Sequence, residues 1–256
     1  MPLFRDEAIV LRTHKLGESD RIVTMLTRER GKTRAVARGV RKTGSKYGAR
    51  VEPFMHVDVQ TFQGRSLDTI TQVETLDALA RGICEDYALF TAGTTMLEAA
   101  GRIVAAEHEP AIQQYWLLLG GLKTLARGDH SARSVLDSYL LRSIAIAGYA
   151  PSFDECARCG APGPHRAFSA QWGGAVCSNC RPPGSAAPAP EVMSLLGALL
   201  AGEWDVIDTA TERSSKDASG LVAAFSQFHL ERSLRSLPFV EQNWPLSQPT
   251  LEAGSA

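Results

Sequence analysis

The sequence predicts an α+β fold of more than one domain: a small five-stranded barrel, then an α-helical domain interrupted by a cysteine-bearing loop. Three observations predict it. Up to Leu76, apolar residues alternate with period two in short runs. Beyond it they recur at three- and four-residue steps, the period of a helix. Between Pro151 and Pro190, prolines, glycines and paired cysteines displace both patterns. At 256 residues and 44% hydrophobic, the chain can bury a core in each part.

Five segments read as strands. Glu7–Leu16 alternates Ile9, Leu11 and Thr13; Arg21–Arg28 carries Ile22 to Leu26; Lys32–Arg38 is short, with Val36 between alanines. Val57–Phe62 and Leu67–Val73 alternate cleanly. Gly17, Arg30-Gly31, Gly44, Gly48, Pro53 and Gly64 supply the turns. Five short strands fit the oligonucleotide-binding (OB) barrel, here over residues 1–78. The helical domain is expected over 79–240. Its stripes are Leu79, Ile83, Tyr87, Phe90, Thr94 and Leu97; then Ile112, Tyr115, Trp116 and Leu119, ending near Gly128; then Val135, Tyr139, Arg142 and Ile146, ending at Gly148. Glu191–Leu200 is a short apolar helix, and Ser219–Leu237 a last one with Leu221, Phe225, Phe228 and Leu234 inward. Residues 241–256 show little pattern and are expected to form a poorly ordered tail.

The inserted loop, 151–188, holds Cys156 and Cys159, then 17 residues, then Cys177 and Cys180. C-x2-C-x17-C-x2-C is the spacing of a four-thiolate zinc site. Two residues between cysteines let a tight knuckle aim both sulfurs at one ion, and two knuckles complete a tetrahedron. A disulfide framework, a redox C-x-x-C and four unrelated core cysteines are the competing readings. A cytoplasmic chain disfavours the first, the absence of a thioredoxin-like βαβ setting the second, and two pairs at this spacing the third. His165 is the only nearby substitute ligand, and Cys84 reads as a small buried hydrophobe in a helical stripe. Four thiolates fill the coordination sphere, so Zn2+ here is expected to be structural.

Charge is unevenly spread. Residues 1–50 hold 13 basic and 5 acidic side chains, a balance of +8 within a chain whose net charge is −1. Eight cations lie between residues 30 and 50 with no acid among them: Arg30, Lys32, Arg34, Arg38, Arg41, Lys42, Lys46 and Arg50. Lys32, Arg34 and Arg38 share strand parity and so one face. Interspersed glycines make the rest a pliable loop. Such a surface suits phosphate backbones, because each contact releases counterions and needs no sequence choice. Tyr47, Phe54 and Phe62 are candidates for base stacking, against the commoner role of barrel core. The bland alternative is a solvated basic loop with no ligand.

No phosphate loop is present: Gly39 to Lys46 reads G-x4-G-S-K, with the Lys and Ser in the wrong order. No H-E-x-x-H, G-x-S-x-G or G-x-G-x-x-G occurs, so a binding protein is expected rather than an enzyme. No apolar run is long enough to span a bilayer, and Arg5, Asp6 and Glu7 do not open a signal peptide, so a cytoplasmic, nucleoid-associated location is expected. A zinc-ribbon transcription or RNA factor is the rival reading. It wants cations around the knuckles, where residues 151–183 offer Arg158, Arg166 and Arg181. A zinc hydrolase or deaminase would need an open metal position and an H-x-E ligand arrangement, neither of which this cysteine set provides.

Several marks together resemble the bacterial RecO family of recombination mediators. They are Gly17-Glu18-Ser19-Asp20, Thr27 with Gly31, Ala37-Arg38-Gly39-Val40-Arg41-Lys42, and Glu52-Pro53-Phe54. In the second half they are Gly148-Tyr149-Ala150-Pro151 before Cys156 and Cys159-Gly160, then Arg232 and Arg235-Ser236. The resemblance implies an N-terminal OB barrel and a helical C-terminal domain with a zinc-binding insertion. It implies binding of single- and double-stranded DNA, annealing of complementary strands, and help in loading RecA onto strands coated by single-stranded-DNA-binding protein. RecR and the C-terminal tail of the coating protein are the implied partners.

Overall fold

The computed structural model describes residues 2–45, 47–230 and 234–241. The expected strands form β1 (Leu3–Leu16), β2 (Asp20–Thr27), β3 (Gly31–Ala37), β4 (Met55–Phe62) and β5 (Asp68–Ala78). They close into a barrel in the order β1-β2-β3-β5-β4. Every pairing is antiparallel except the seam, where Ala35 pairs Asp68 and Val36 pairs Thr69 in parallel. That crossover is the OB arrangement. Alternation decides what lies inside: Val10, Val23, Met25, Ala35, Ala37, Val57, Val59, Ile70 and Val73 fill the barrel.

β1 also serves the other domain. Ala8 and Val10 point into the barrel, whereas Ile9 and Leu11, with Leu26 of β2, belong to the core of the helical domain. A strand buried on both faces reads as an unbroken apolar run, here Ala8-Ile9-Val10-Leu11.

The helices are α1 (Ala80–Cys84), α2 (Tyr87–Ile103), α3 (Ile112–Arg127), α4 (Ala132–Ile146), α5 (Pro190–Ala201), α6 (Trp204–Ile207), α7 (Glu212–His229) and α8 (Leu237–Glu241). Asp86, Ser131 and Thr211 cap α2, α4 and α7 by accepting the N–H of Leu89, Ser134 and Ser214. Gly128 and Gly202 end α3 and α5 in the left-handed conformation. Leu118, Leu122, Leu125, Leu136 and Leu140 are fully buried between α3, α4 and their neighbours, each contributing roughly 2 kcal/mol. Gln114 and Ser143 tie α3 to α4 through reciprocal hydrogen bonds of 2.8 and 2.6 Å. Arg235-Ser236 enters α8 with both backbone N–H groups on the Glu98 carboxylate of α2, which also accepts the Ser236 hydroxyl. Arg232 and, of the expected tail 241–256, all but the first residue lie outside the described residues.

Several helix faces differ from expectation. The first stripe is broken at Asp86, which restarts the helix and resets its phase. Tyr87 and Phe90 are therefore exposed, Thr94 is half-buried, and Thr91, Ala92, Thr95, Met96, Ala99 and Ala100 face the core. Small side chains let α2 pack closely, so the large residues were a poor guide to its buried face. Ile112, Trp116, Ile146 and Phe228 are likewise exposed. Trp116 lies beside the Arg28 guanidinium, 5.3 Å from its ring centre. The last long helix begins at Glu212 rather than Ser219 and ends at His229. Its first two turns are polar on every side and gave no periodicity. Cys84 is exposed at the end of α1 instead of buried.

One buried charge has a measurable consequence. Asp137 of α4 is buried and accepts the Ser219 hydroxyl of α7. Burial pushes its carboxyl up to about 6, against the pull of Arg133 and Ser219. The folded state thus holds this proton more tightly than the unfolded chain does. The stability it contributes is complete below about pH 4 and lost as pH rises through about 6. Urea titrations of the wild type and Asp137→Asn should diverge by about 2 kcal/mol between pH 4.5 and 7.5, with the wild type losing ground. Parallel pH profiles would show that the carboxylate is ionised in place.

Candidate functional site

Two sites emerge, far apart in character. The first is the cysteine cluster. Its frame is a hairpin of β6 (Ala167–Ser169) and β7 (Gly174–Val176). In the first knuckle Gly160 donates to the Cys156 carbonyl at 2.8 Å, and Cys156 donates to Ala161 at 2.8 Å. In the second, Cys180 and Arg181 donate to the Cys177 carbonyl at 3.1 and 3.0 Å. Ala157 docks the first knuckle on the hairpin through Ala175, 2.8 Å away.

The four sulfurs of Cys156, Cys159, Cys177 and Cys180 lie within 4.8 Å of one another. Those of Cys159 and Cys177 are 3.9 Å apart, too far for a disulfide. Tetrahedral zinc at about 2.3 Å from each sulfur requires separations of about 3.8 Å, so the set fits such an ion. Electrostatics favours one too. The Cys177 backbone N–H pulls the Cys156 thiol down to about 6, while the sulfurs of Cys159 and Cys177 push the Cys180 thiol up to about 12. A cation between the sulfurs would offset the repulsion among four thiolates this close. His165 turns its Nε2 to the Ala161 carbonyl, 2.9 Å away, and is not part of the cluster.

The second site is the basic segment, and the structure divides it. Arg30, Lys32 and Arg34 are engaged. Arg30 lies over Phe4, its guanidinium 4.0 Å from the ring centre, and contacts Asp68 at 3.4 Å and His108 at 3.0 Å. Lys32 donates to the carbonyls of Ala105 and Gly101, and Arg34 pairs with Glu107. Arg50 donates to the Val73 carbonyl at 2.9 Å. Arg38, Arg41 and Lys42 gather at one corner, where the β1–β2 turn meets the β3–β4 loop, and all three are exposed. Lys46 lies outside the described residues.

That corner is built by Asp20. Its carboxylate accepts the Gly39 N–H at 2.8 Å and the Ser19 hydroxyl at 2.9 Å, and Arg41 N–H reaches the Ser19 carbonyl at 2.9 Å. The Gly39 and Ser19 donors hold the Asp20 carboxyl below the usual range. Gly39 sits at φ +65°, which a side chain would strain. The segments Gly17–Asp20 and Ala37–Lys42 are thus two halves of one clasp. Arg41 is steadied by the Glu18 carbonyl at 2.8 Å, while Arg38 and Lys42 have no side-chain hydrogen bond or ion pair among the described residues.

Strand register adds cations that the sequence reading overlooked. Lys15 pairs Arg21, and Arg21 pairs Ala37, next to Arg38. Arg12 pairs Thr24, and Thr24 pairs Arg34. Arg12 and Lys15 are both exposed; the ladder brings Lys15 level with Ala37 beside the loop and sets Arg12 across Thr24 from Arg34. The aromatic candidates divide as well. Phe54 is buried against Phe90 and Gly93, so it cannot stack a base. Tyr47 donates its hydroxyl to the Thr71 carbonyl, and Phe62 is partly exposed on β4. A cleft on the helical domain carries Asp129, Asp137, Asp208 and Glu212 beside Arg133 and His130, a charge balance that does not suit phosphate. Among the described residues, no helix is long and apolar enough to cross a membrane.

A closed OB barrel with an exposed cationic corner, joined to a helical domain with four cysteines clustered at metal-binding distance, defines a two-domain class of OB-barrel proteins. Comparison with known families is consistent with both halves: residues 1–79 match "Recombination protein O N terminal" and residues 84–238 match "Recombination protein O C terminal". Similar proteins include the DNA repair protein RecO of Nocardioides sp., 61% identical over 243 residues, and that of Streptomyces coelicolor, 58% identical over 248. The DNA repair protein RecO of Thermobifida fusca is 56% identical over 242. Each comparison covers 94% of this chain and 100% of the relative. The chain belongs to the RecO family of DNA repair proteins.

Proposed function

We propose that the protein acts in DNA repair and recombination as a mediator. It binds single- and double-stranded DNA, anneals complementary strands and helps load RecA onto coated single strands. The observation that carries this reading is the exposed corner of Arg38, Arg41 and Lys42, flanked by Lys15 on an OB barrel. Cations on a preformed surface screen the repulsion between two phosphate backbones, which is the main obstacle to annealing. No covalent step or nucleotide hydrolysis is required, so the protein works as a binding machine rather than an enzyme.

The four thiolates hold Zn2+ in a structural role: their coordination leaves no position for substrate. Family membership supports RecR and the C-terminal tail of single-stranded-DNA-binding protein as partners, and action at the nucleoid. The test is annealing of complementary strands precoated with the cognate coating protein, without nucleotide. Accelerated annealing is expected; no acceleration over the coated strands alone would overturn the mediator reading. A transcription or RNA factor would instead need the cysteine knuckles to touch nucleic acid. Of their cations, Arg158 is occupied over the Trp172 ring, 4.8 Å from its centre.

A further inference from the structure

The seam of the barrel is short. β3 pairs β5 only through Ala35 and Val36, so the edge of β3 from Gly31 to Arg34 has no β5 partner. The connection between α2 and α3 fills that edge. His108 N–H donates to the Lys32 carbonyl at 2.9 Å, and Lys32 forms a parallel bridge with Glu107. The connection lies so close that a Cβ on Gly31 would sit 1.8 Å from the Glu109 carbonyl oxygen. Gly31 also sits at φ +64°, so two independent constraints demand glycine there.

The side chains reinforce the backbone. Lys32 places its ammonium on the carbonyls of Gly101 and Ala105, at the negative end of the α2 dipole. Arg34 pairs with Glu107, and Arg30 binds His108 from one side and Asp68 from the other. Lys32 has lost enough water that burial holds its ammonium below the usual range. The part of the outward face of β3 that carries Lys32 and Arg34 is therefore already engaged by the protein itself, while Arg38 of the same parity stays exposed beyond it.

We infer that Arg30, Lys32 and Arg34 form a latch fastening the α2–α3 connection to the open part of the barrel seam, and that DNA phosphates track beside it over Arg38, Arg41 and Lys42. The second half rests on the DNA-binding reading; the first does not. The cations of one basic run thus divide between two tasks. A phosphate entering the latch would have to displace Glu107 and two carbonyls, and would leave those acceptors unsatisfied. At the corner it meets Arg38 and Lys42 with no hydrogen bond or ion pair to displace, only the more distant charge of Asp20.

The experiment uses the full chain and a fluorescent oligothymidylate, with thermal unfolding measured beside the salt dependence of binding. Lys32→Gln and Arg34→Gln should each lower Tm by about 2–6 °C and leave the slope of log affinity against log salt unchanged. Lys42→Gln should leave Tm alone and flatten the slope by about 0.7. A slope flattened in Lys32→Gln or Arg34→Gln, or a Tm unchanged in both, would overturn the latch. Glu107→Gln opens it from the other side without removing a cation. It should lower Tm without changing affinity, and binding tightened several-fold would show instead a gate that competes with DNA. If the wild type binds no oligothymidylate, the DNA reading fails, while the Tm values still decide the latch.

Discussion

Arg38→Ala, Arg41→Ala and Lys42→Ala together should weaken binding of single-stranded DNA by about a hundredfold at 0.1 M salt. Each phosphate contact on a single strand contributes roughly 0.7 of a decade for every tenfold change in salt, so three contacts amount to about two decades. The loss should shrink as salt rises, and the slope itself should flatten by about two. Fold stability should hold. Arg38 and Lys42 make no side-chain hydrogen bond or ion pair among the described residues, and Arg41 donates only to backbone carbonyls near an exposed turn. The clasp beneath them depends on Asp20 and backbone groups, which these substitutions leave alone. Fluorescence anisotropy across a salt series reads both quantities. Undiminished affinity in the triple variant would remove the corner from the DNA interface. Repeating the series on duplex, where each contact counts for about 0.9, should give a proportionately steeper change.

The second large effect concerns the cysteines. The ribbon has two three-residue strands, and its own core is Cys156, Ala167 and Val176. So small an apolar core cannot offset the entropy of ordering the loop, and a metal held by the four cysteines would supply the difference. Structural zinc binds such sites with roughly 10–16 kcal/mol of apparent free energy, most of which appears as folding. Cys177→Ser, or a strong chelator, should unfold the ribbon. Amide protection should vanish at Cys156 and Ala157, whose N–H groups bond to Ala161 and Ala175. The helical core should persist, because α4, α5 and α7 pack on one another through Leu136, Leu140, Leu196 and Phe225. The outer end of the ribbon will not go alone, however. Phe168 and Ala175 are part of that helical core, so some loss of Tm should accompany it. Hydrogen exchange resolves the two regions; unchanged protection in the ribbon after chelation would show that the metal does not hold it.

The parts legible in the sequence were those governed by a single period or spacing. β4 and β5 announced themselves by alternation and the middle of β1 and β2 by an apolar run, because the first pair has one face in a core and the second has two. The cysteine set was legible because ligand geometry constrains spacing directly. The helix faces were harder. α2 buries Ala92, Thr95 and Ala99 while Tyr87 and Phe90 are exposed, since close helix packing selects for small residues over apolar bulk. β6 and β7 are too short to show any period. The basic run was legible as charge but not as division of labour. What separates Lys32 from Lys42 is the arrival of Glu107 and the α2 carbonyls from the other domain, a contact made by folding and unmarked in the local sequence. Lys15 was missed for the same reason: it joins the corner only through strand register.

The double duty of β1 bears on how the molecule is made. Residues 1–79 correspond to one family segment, yet Ile9, Leu11 and Leu26 belong to the core supplied by the residues that follow. As the chain leaves the ribosome, a finished barrel would present these side chains to water until α2 and α3 emerge. Expressed by itself, the N-terminal segment carries a greasy stripe along its first two strands and should self-associate at concentrations where the whole chain does not. The natural boundary in the sequence is therefore not a safe place to cut.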